Sequence, residues 1–290
     1  MNALTIDVED GWSIFSREWH LGEIDPTETV VRDAEKILEI LAAGNYKATF
    51  FVVGNVAGKY PSLVRRIADA GHELGIHGFS HKQIFRLTED EFRNDIKKAK
   101  AILENSASTK VAGYRAPAFS LLPETKWSLR ILAEEGFKYD SSIVPCKNPR
   151  YGWKGFGKDI CRIDLEDGLS IIEVPLSVLP IPMTNKGFLT GGGYLRRFPY
   201  FVSHAAIKHL QKTRPVIVYV HPYEFGKEVV PLSMGHLSAT SRLRMKLLVC
   251  WYLGTGIGNR HTMPVKLKKL LSDFEFGTVG QVIDQWFNHS

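Results

Sequence analysis

The chain has few of the features that mark several large protein classes. Its three cysteines, Cys146, Cys161 and Cys250, are scattered and form no Cys-x-x-Cys spacing. That excludes a disulfide framework and a thiolate-type structural zinc site. Long apolar runs are missing too. The longest one near the C-terminus, Leu247 to Leu253, falls far short of the roughly 20 residues that a spanning helix needs. Met1 runs directly into Ala3-Leu4-Thr5-Ile6 with no basic region or small-residue cleavage site behind it, so a cytoplasmic location is the expectation. Between His236 and Ser272 there is no acidic residue, while Arg242, Arg244, Lys246, Arg260, Lys266, Lys268 and Lys269 all fall there. The net charge of +6 is therefore a local patch on an otherwise nearly neutral chain. Such a patch reads either as a solvated helix face or as a contact for an anionic membrane surface or glycan, the latter making the chain membrane-associated. No nucleic-acid reading motif accompanies it, so nucleic acid is not an expected partner.

What the sequence does contain is an alternation of short β-like runs and amphipathic helices, which is the signature of βα units around a parallel sheet. With 290 residues and 44% apolar content, one large barrel-like α/β domain is feasible. Strands are expected at Ala3–Val8, Thr49–Val53, Glu73–His77, Val111–Tyr114, Phe137–Asp140, Ser170–Val174 and Val216–Val220. Helices are expected from Asp25-Pro26-Thr27-Glu28 to about Gly44, over Ser62–Ala70, from the Thr88-to-Glu91 capping box to about Leu103, and over Pro123–Glu135 and Phe201–Lys212. A last helix follows the capping box at Thr278-to-Gln281. Residues 146–199 break the rhythm with a Pro/Gly-rich stretch, read as a substrate-shaping insertion. The expected organisation is a barrel over 1–235 that includes this insertion, with a basic helical extension over 236–290 packed on it.

Catalytic groups of α/β barrels lie where strands end, at the C-terminal face. Here the strand ends carry Asp7-Val8-Glu9-Asp10, His77, Arg115, Asp140 and His221. The pattern His77-x-x-x-His81 would, on one helical turn, aim two imidazoles at one point and offer a divalent metal two ligands. By itself it equally describes two unrelated loop histidines; the nearby carboxylates favour the metal. Asp7 follows an apolar run, where an unpaired carboxylate would cost several kcal/mol, on the order of a buried charge. Arg115 is a suitable bidentate partner. His221, delivered by a strand to Pro222, is suited to general acid work.

In order and spacing, Thr5-Ile6-Asp7 with Glu9 and Asp10, His77-x-x-x-His81, Arg115-x-Pro117 and Val220-His221 resemble the motif series of the NodB-type polysaccharide deacetylases, carbohydrate esterase family four. The resemblance spans Met1 to Phe225. It looks closest to the bacterial exopolysaccharide-biosynthesis branch, given Asp-Val-Glu-Asp and the run Gly191-Gly-Gly-Tyr-Leu-Arg196. The resemblance implies a distorted (β/α) barrel with about seven repeats and a zinc-like divalent ion held by His77, His81 and one carboxylate. It further implies Asp7 as general base, His221 as general acid, Arg115 as clamp on the base, and a backbone N–H near Ala118 for the oxyanion.

The family's usual two adjacent aspartates are separated here by Val8. Glu9 shares the strand face of Asp7, whereas Asp10 precedes Gly11 as the ligand aspartate often does, so both stay open as metal ligands. Asp140 is a candidate for orienting His221. Pro117, Ala118, Phe119 and Tyr194 are candidate substrate contacts, and Trp153 and Phe156 are further aromatics in the insertion. The activity implied is deacetylation of N-acetylated amino sugars in a polysaccharide or lipid-linked precursor. Two alternatives are hydrolysis of a small amide or cyclic ureide and an inactive glycan-binding module.

Overall fold

Apolar, β-branched and aromatic runs set the sheet. The first, β1 (Asn2–Val8), is buried along its whole length, as strands covered on both faces are. The computed structural model describes residues 1–11, 13, 25–147, 151–181, 183, 184, 186–227 and 258–288. Of the expected features, Cys250, the Leu247–Leu253 run and the basic residues Arg242, Arg244 and Lys246 lie outside them.

The strands that follow are β2 (Thr49–Val52), β3 (Glu73–Ile76), β4 (Gly113–Tyr114), β5 (Tyr139–Asp140), β6 (Cys161–Asp164), β7 (Ser170–Glu173), β8 (Val178–Pro180), β9 (Gly187–Leu189), β10 (Ile217–Val220) and β11 (Phe276–Gly277). The main sheet runs β10-β1-β2-β3-β4-β5-β7-β6, with β11 also pairing β1. Every pairing in it is parallel except β6 with β7. Strands β10 and β6 stand at the two ends of this order, so the sheet is a curled half-barrel. A separate antiparallel hairpin is formed by β8 and β9.

Helices pack outside the sheet: α1 (Thr29–Ala42), α2 (Gly54–Lys59), α3 (Pro61–Asp69), α4 (Glu89–Ala107), α5 (Trp127–Glu134), α6 (Gly192–Arg197), α7 (Tyr200–Leu210), α8 (Met263–Asp273) and α9 (Val279–Asn288). Helix α1 buries Val30, Ala34, Ile37 and Leu41 at helical spacing. It starts at Thr29, later than Asp25-Pro26 signalled. The groups before it are engaged elsewhere: Tyr60 donates to the Pro26 carbonyl, and the Thr27 hydroxyl donates to Asp10. The Thr88–Glu91 capping box forms in full at the start of α4. At the start of α9, Thr278 and Gln281 bond reciprocally. The short α2 was not legible, because Gly54-Asn55-Val56-Ala57-Gly58 carries no helical apolar stripe. Among the described residues no helix is long and apolar enough to cross a membrane.

The 146–199 stretch is more regular than its composition suggests, since it holds β6 to β9 and α6. Strand β6 was missed because it lies at a sheet edge, half exposed, with an alternating Cys-Arg-Ile-Asp pattern. Trp153 and Phe156 pack against each other and on the main hydrophobic core. Cys146 and Cys161 are free thiols.

The C-terminal part is built into the fold: β11 extends the sheet beside Asn2 and Ala3, and α8 buries Leu267, Leu270 and Leu271. Lys266, one of the basic-patch residues, is buried. Its ammonium donates to the carbonyls of Leu195, Arg196 and Phe198 at 2.9, 2.9 and 2.8 Å, satisfying the end of α6. Hydrogen bonds made by a charged donor contribute about 1.5–3 kcal/mol each before desolvation is counted. Lys266→Met, which keeps the stem and removes the donor, is expected to lower stability by about 2 kcal/mol. Urea denaturation reads this directly, and an unchanged midpoint would show that the three carbonyls do not depend on the ammonium.

Candidate active site

Parallel pairing brings the C-terminal ends of β1, β3, β4 and β10 side by side, and each delivers a polar residue to the same cleft. Asp7 is paired in register with Phe51, and Ile76, the residue before His77, with Tyr114, the residue before Arg115. Strand β10 ends at Val220, beside Ile6, so His221 emerges next to Asp7.

Arg115 is fully buried. Its Nη1 donates to Asp7 Oδ1 at 2.8 Å and to Thr5 Oγ1 at 2.6 Å. Its Nε and Nη2 donate to the Ser141 carbonyl and hydroxyl, each at 2.9 Å. The guanidinium also lies 4.3 Å from the centre of the Phe51 ring. With Oδ1 of Asp7 so fixed, Oδ2 faces His221 Nε2 at 4.0 Å.

Glu9, His77 and His81 converge, their ligand atoms lying within 4.8 Å of one another, and all three are buried. Glu9 Oε2 is 2.7 Å from His81 Nε2 and 3.5 Å from His77 Nε2. Asp10 is turned elsewhere: its carboxylate accepts from the Ser13 N–H at 2.9 Å and from the hydroxyls of Thr27 and Thr29. Of the two acids left open, Glu9 is therefore the one that faces the histidines. The histidines are carried by an extended loop and not by the helical turn their spacing suggested. Gly78 and His81 both adopt positive φ, +69° and +56°, and the loop is held by Asp95, which accepts the Phe79 N–H at 2.7 Å.

The donor set fits a divalent metal. His77 Nδ1 lies 2.8 Å from the Arg115 carbonyl, which can only accept, so this nitrogen carries the proton. In a neutral ring that leaves the Nε2 lone pair directed at a carboxylate, an arrangement that calls for a cation between them. Two imidazoles and one carboxylate leave positions open for water and substrate, as catalytic zinc sites do. Burial opposes ionisation of Glu9, but the imidazoles of His81, His221 and His77 outweigh it and hold its carboxyl well below the usual range. For His221, burial disfavours the charged ring, and Glu9, Glu224 and Asp7 together overcome this and push it up to about 9. Tyr223 stacks on the His221 ring at 4.8 Å between centroids.

Asp140 does not reach His221. Its oxygens accept from the Ser142 N–H and hydroxyl, and its electrostatic neighbour is Glu173, buried beside it on β7. The expected orienting role is thereby corrected, and Glu224 takes the place, its Oε2 standing 3.2 Å from His221 Nδ1. Sequence reasoning missed it, although the spacing His221-Pro-Tyr-Glu224, a carboxylate one turn beyond a strand-end histidine, was a usable signal. Burial first, and the Asp140 charge second, raise the Glu173 carboxyl well above its ordinary value, which favours its protonated form. Pro117 is buried beside Gly78. Ala118 holds a left-handed conformation at φ +52°, and Phe119 packs edge-on to Tyr151 and Tyr219. Tyr194 is half-buried in an aromatic group with Phe188 and Phe198.

Residues 23–139 match the family model described as polysaccharide deacetylase, and residues 141–284 match a domain of unknown function, DUF3473. His77, His81 and Arg115 fall in the first segment, His221 and Glu224 in the second. A peptidoglycan-N-acetylglucosamine deacetylase of Bacillus cereus is 38% identical over 125 residues, which cover 43% of this chain and 42% of that protein. A peptidoglycan deacetylase of Helicobacter pylori is 28% identical over 109 residues, 38% of this chain and 36% of the relative. The chain thus matches less than half the length of these two curated relatives. Among solved structures, a Mycobacterium smegmatis protein assigned as a polysaccharide deacetylase superposes with a TM-score of 0.55 at 21% identity, covering 96% of this chain and 92% of the other. A Bacillus anthracis pseudoenzyme of carbohydrate esterase family four reaches 0.50 at 18% identity, covering 97% and 64%. At these identities the superpositions establish the fold alone.

Two outcomes are expected from this geometry. Glu9→Gln should lose bound divalent metal while Asp10→Asn retains it, as read by metal analysis of the purified proteins; the reverse pattern would return the ligand role to Asp10. The second concerns the pair Asp140–Glu173. An acid whose folded pKa is raised binds more protons folded than unfolded, so its stabilising effect is full below the unfolded value of 4.5 and fades as pH rises above it. Glu173→Gln, which imitates the protonated acid, should therefore flatten the loss of stability between pH values of about 5 and 8 in urea titrations. A variant with the wild-type pH slope would remove Glu173 from that account.

Proposed function

Because the chain carries a NodB-type polysaccharide deacetylase domain over residues 23–139, followed by a DUF3473 domain, we propose that it is a metal-dependent deacetylase of N-acetylated amino sugars in a bacterial polysaccharide or its lipid-linked precursor. The observation that carries this reading is the convergence of Glu9, His77 and His81 beside a separate proton-transfer pair, Asp7 and His221. The printed activities of the curated relatives, deacetylation of peptidoglycan and of its N-acetylglucosamine, support the amide bond as the one broken.

Glu9, His77 and His81 would hold the ion, and a borderline-soft cation such as zinc suits two imidazoles and a carboxylate. A bound divalent cation would supply Lewis acidity to the acyl carbonyl and acidify a water. The chain's own groups do the rest. Asp7, fixed through Oδ1 by Arg115, presents Oδ2 to take a proton from the attacking water. Water oxygen bonds to the acyl carbon, the C–N bond breaks, and His221 Nε2 gives its proton to the departing amine nitrogen, leaving acetate and the free amino sugar. His221, held through Nδ1 by Glu224, presents Nε2 to the cleft as the proton-donating edge. The backbone N–H near Ala118 is the proposed donor to the oxyanion.

Asp7→Asn should keep the metal and lose turnover of an acetylated glycan by about 100-fold or more, as general-base loss does. Full activity in that variant would refute the base assignment. His221→Ala should lower turnover comparably and abolish the alkaline limb of the rate profile, because an acid catalyst fails as pH rises through its pKa. An unchanged limb would assign it to another group. Acetate release from an N-acetylhexosamine polymer, compared with that from small amides, tests the substrate class.

A further inference from the structure

We propose that the DUF3473 domain supplies the device that positions His221: a buried ion pair, Arg196 with Glu224, that grips the imidazole through Nδ1. The proposal rests on the deacetylase reading, in which His221 is the acid.

Glu224 is 1% exposed and uses both carboxylate oxygens. Its Oε2 takes the His221 ring at Nδ1, 3.2 Å away, and accepts the His221 backbone N–H at 3.1 Å. Its Oε1 accepts from Arg196 Nε at 3.2 Å. A carboxylate at this depth needs a cation, and Arg196, itself 4% exposed, provides it. With Nδ1 engaged by an anion, that nitrogen keeps its proton in either ring state, and the opposite nitrogen, Nε2, is turned to Asp7 and Glu9 at 4.0 and 3.8 Å. The ring therefore enters the cleft with the edge that must give up a proton facing the carboxylates.

Arg196 is itself placed by features that the deacetylase-type motifs do not account for. It ends the run Gly191-Gly-Gly-Tyr-Leu-Arg196, and Gly191 is required there, since a Cβ would come within 2.2 Å of the Tyr219 carbonyl on β10. That close approach sets the start of α6 against the strand that delivers His221. At the other end of α6, Lys266 ties the carbonyls of Leu195, Arg196 and Phe198, and Arg196 Nη1 donates to the Gly258 carbonyl at 3.0 Å. The glycine run and the turn after His221 thus meet on one carboxylate, and helix α8 holds the end of α6 behind them. In this arrangement Glu224 is a positioning residue, acting on substrate only through His221.

A double-mutant cycle on the full-length, zinc-loaded protein separates this role from a structural one. Glu224→Gln is expected to lower kcat by about 10- to 100-fold, the usual cost of removing an outer-shell partner, with KM within about twofold and metal content unchanged. Added to His221→Ala, it should cost nothing further. Losses that multiply in the double variant, or a wild-type kcat in Glu224→Gln alone, would overturn the proposal. Arg196→Gln, which leaves Glu224 in place, gives a second arm with a smaller loss of the same kind should Glu224→Gln fail to fold. An activity-free readout is nitrogen NMR of labelled histidine: His221 should carry a hydrogen-bonded Nδ1 proton in wild type and lose that signature in Glu224→Leu, which has no acceptor. If wild type deacetylates nothing, the function reading fails alone, and the ring signal still decides the positioning claim; retention of the Nδ1–H signature in the variant would sink it.

Discussion

The buried guanidinium of Arg115 is the point on which the cleft depends. A cation with no exposure to water is tolerable only if its donors are spent, and here each of its nitrogens has a partner: Asp7 and Thr5 on β1, and the Ser141 carbonyl and hydroxyl after β5. The same residue's carbonyl accepts from His77 Nδ1 and so fixes which imidazole nitrogen faces Glu9. One side chain and its own backbone thereby set the rotamer of Asp7, the tautomer of His77 and the spacing of three strands. Arg and Lys are not interchangeable at such a position, because only the planar fork reaches these four acceptor groups at once.

Around that hub, the two matched segments form one sheet. Strand β10, from the second segment, pairs along Ala3 to Ile6, and β11 pairs at Asn2 and Ala3. The first strand, which precedes both matched segments and carries Asp7 and Glu9, is thus flanked by strands of both. The cleft has no complete version within residues 23–139. Burial of β1 by its neighbours also fixes its register, since a one-residue slip would turn Asp7 and Glu9 out of the cleft together.

The legible part of this design was what strand periodicity exposes. Asp7, His77, Arg115 and His221 follow apolar runs directly, and a parallel α/β sheet brings such strand ends to one face, so their convergence could be read from the chain. Glu9 against Asp10 could not, because the choice turns on where Thr27 and Thr29 fold back to, and those hydroxyls belong to a segment whose own helix start was displaced. Asp140 looked like another strand-end acid. Its actual neighbour, Glu173, arrives through the pairing of β5 with β7, which skips β6 in chain order, and a skipped strand leaves no mark in local sequence. Lys266 shows the same limit from the other side: counted by charge it belonged to a basic surface, whereas its surroundings make it an internal cap for the end of α6.

The short approach of His81 Nε2 to Glu9 Oε2, 2.7 Å, bears on how a divalent ion would enter this cluster. At that distance His81 Nε2 donates its proton to the carboxylate. A cation bound at this cluster would have to displace that proton from the imidazole. His77 is spared that competition on its outer nitrogen, because the Arg115 carbonyl already holds the Nδ1 proton in place. His221 is spared it as well, being anchored through Nδ1 to Glu224 and so unable to swing that nitrogen toward the ligand set. The fold therefore separates two settings of histidine within one cleft: His77 and His81, whose Nε2 atoms face Glu9, and His221, whose Nδ1 is held by Glu224 while Nε2 faces Asp7.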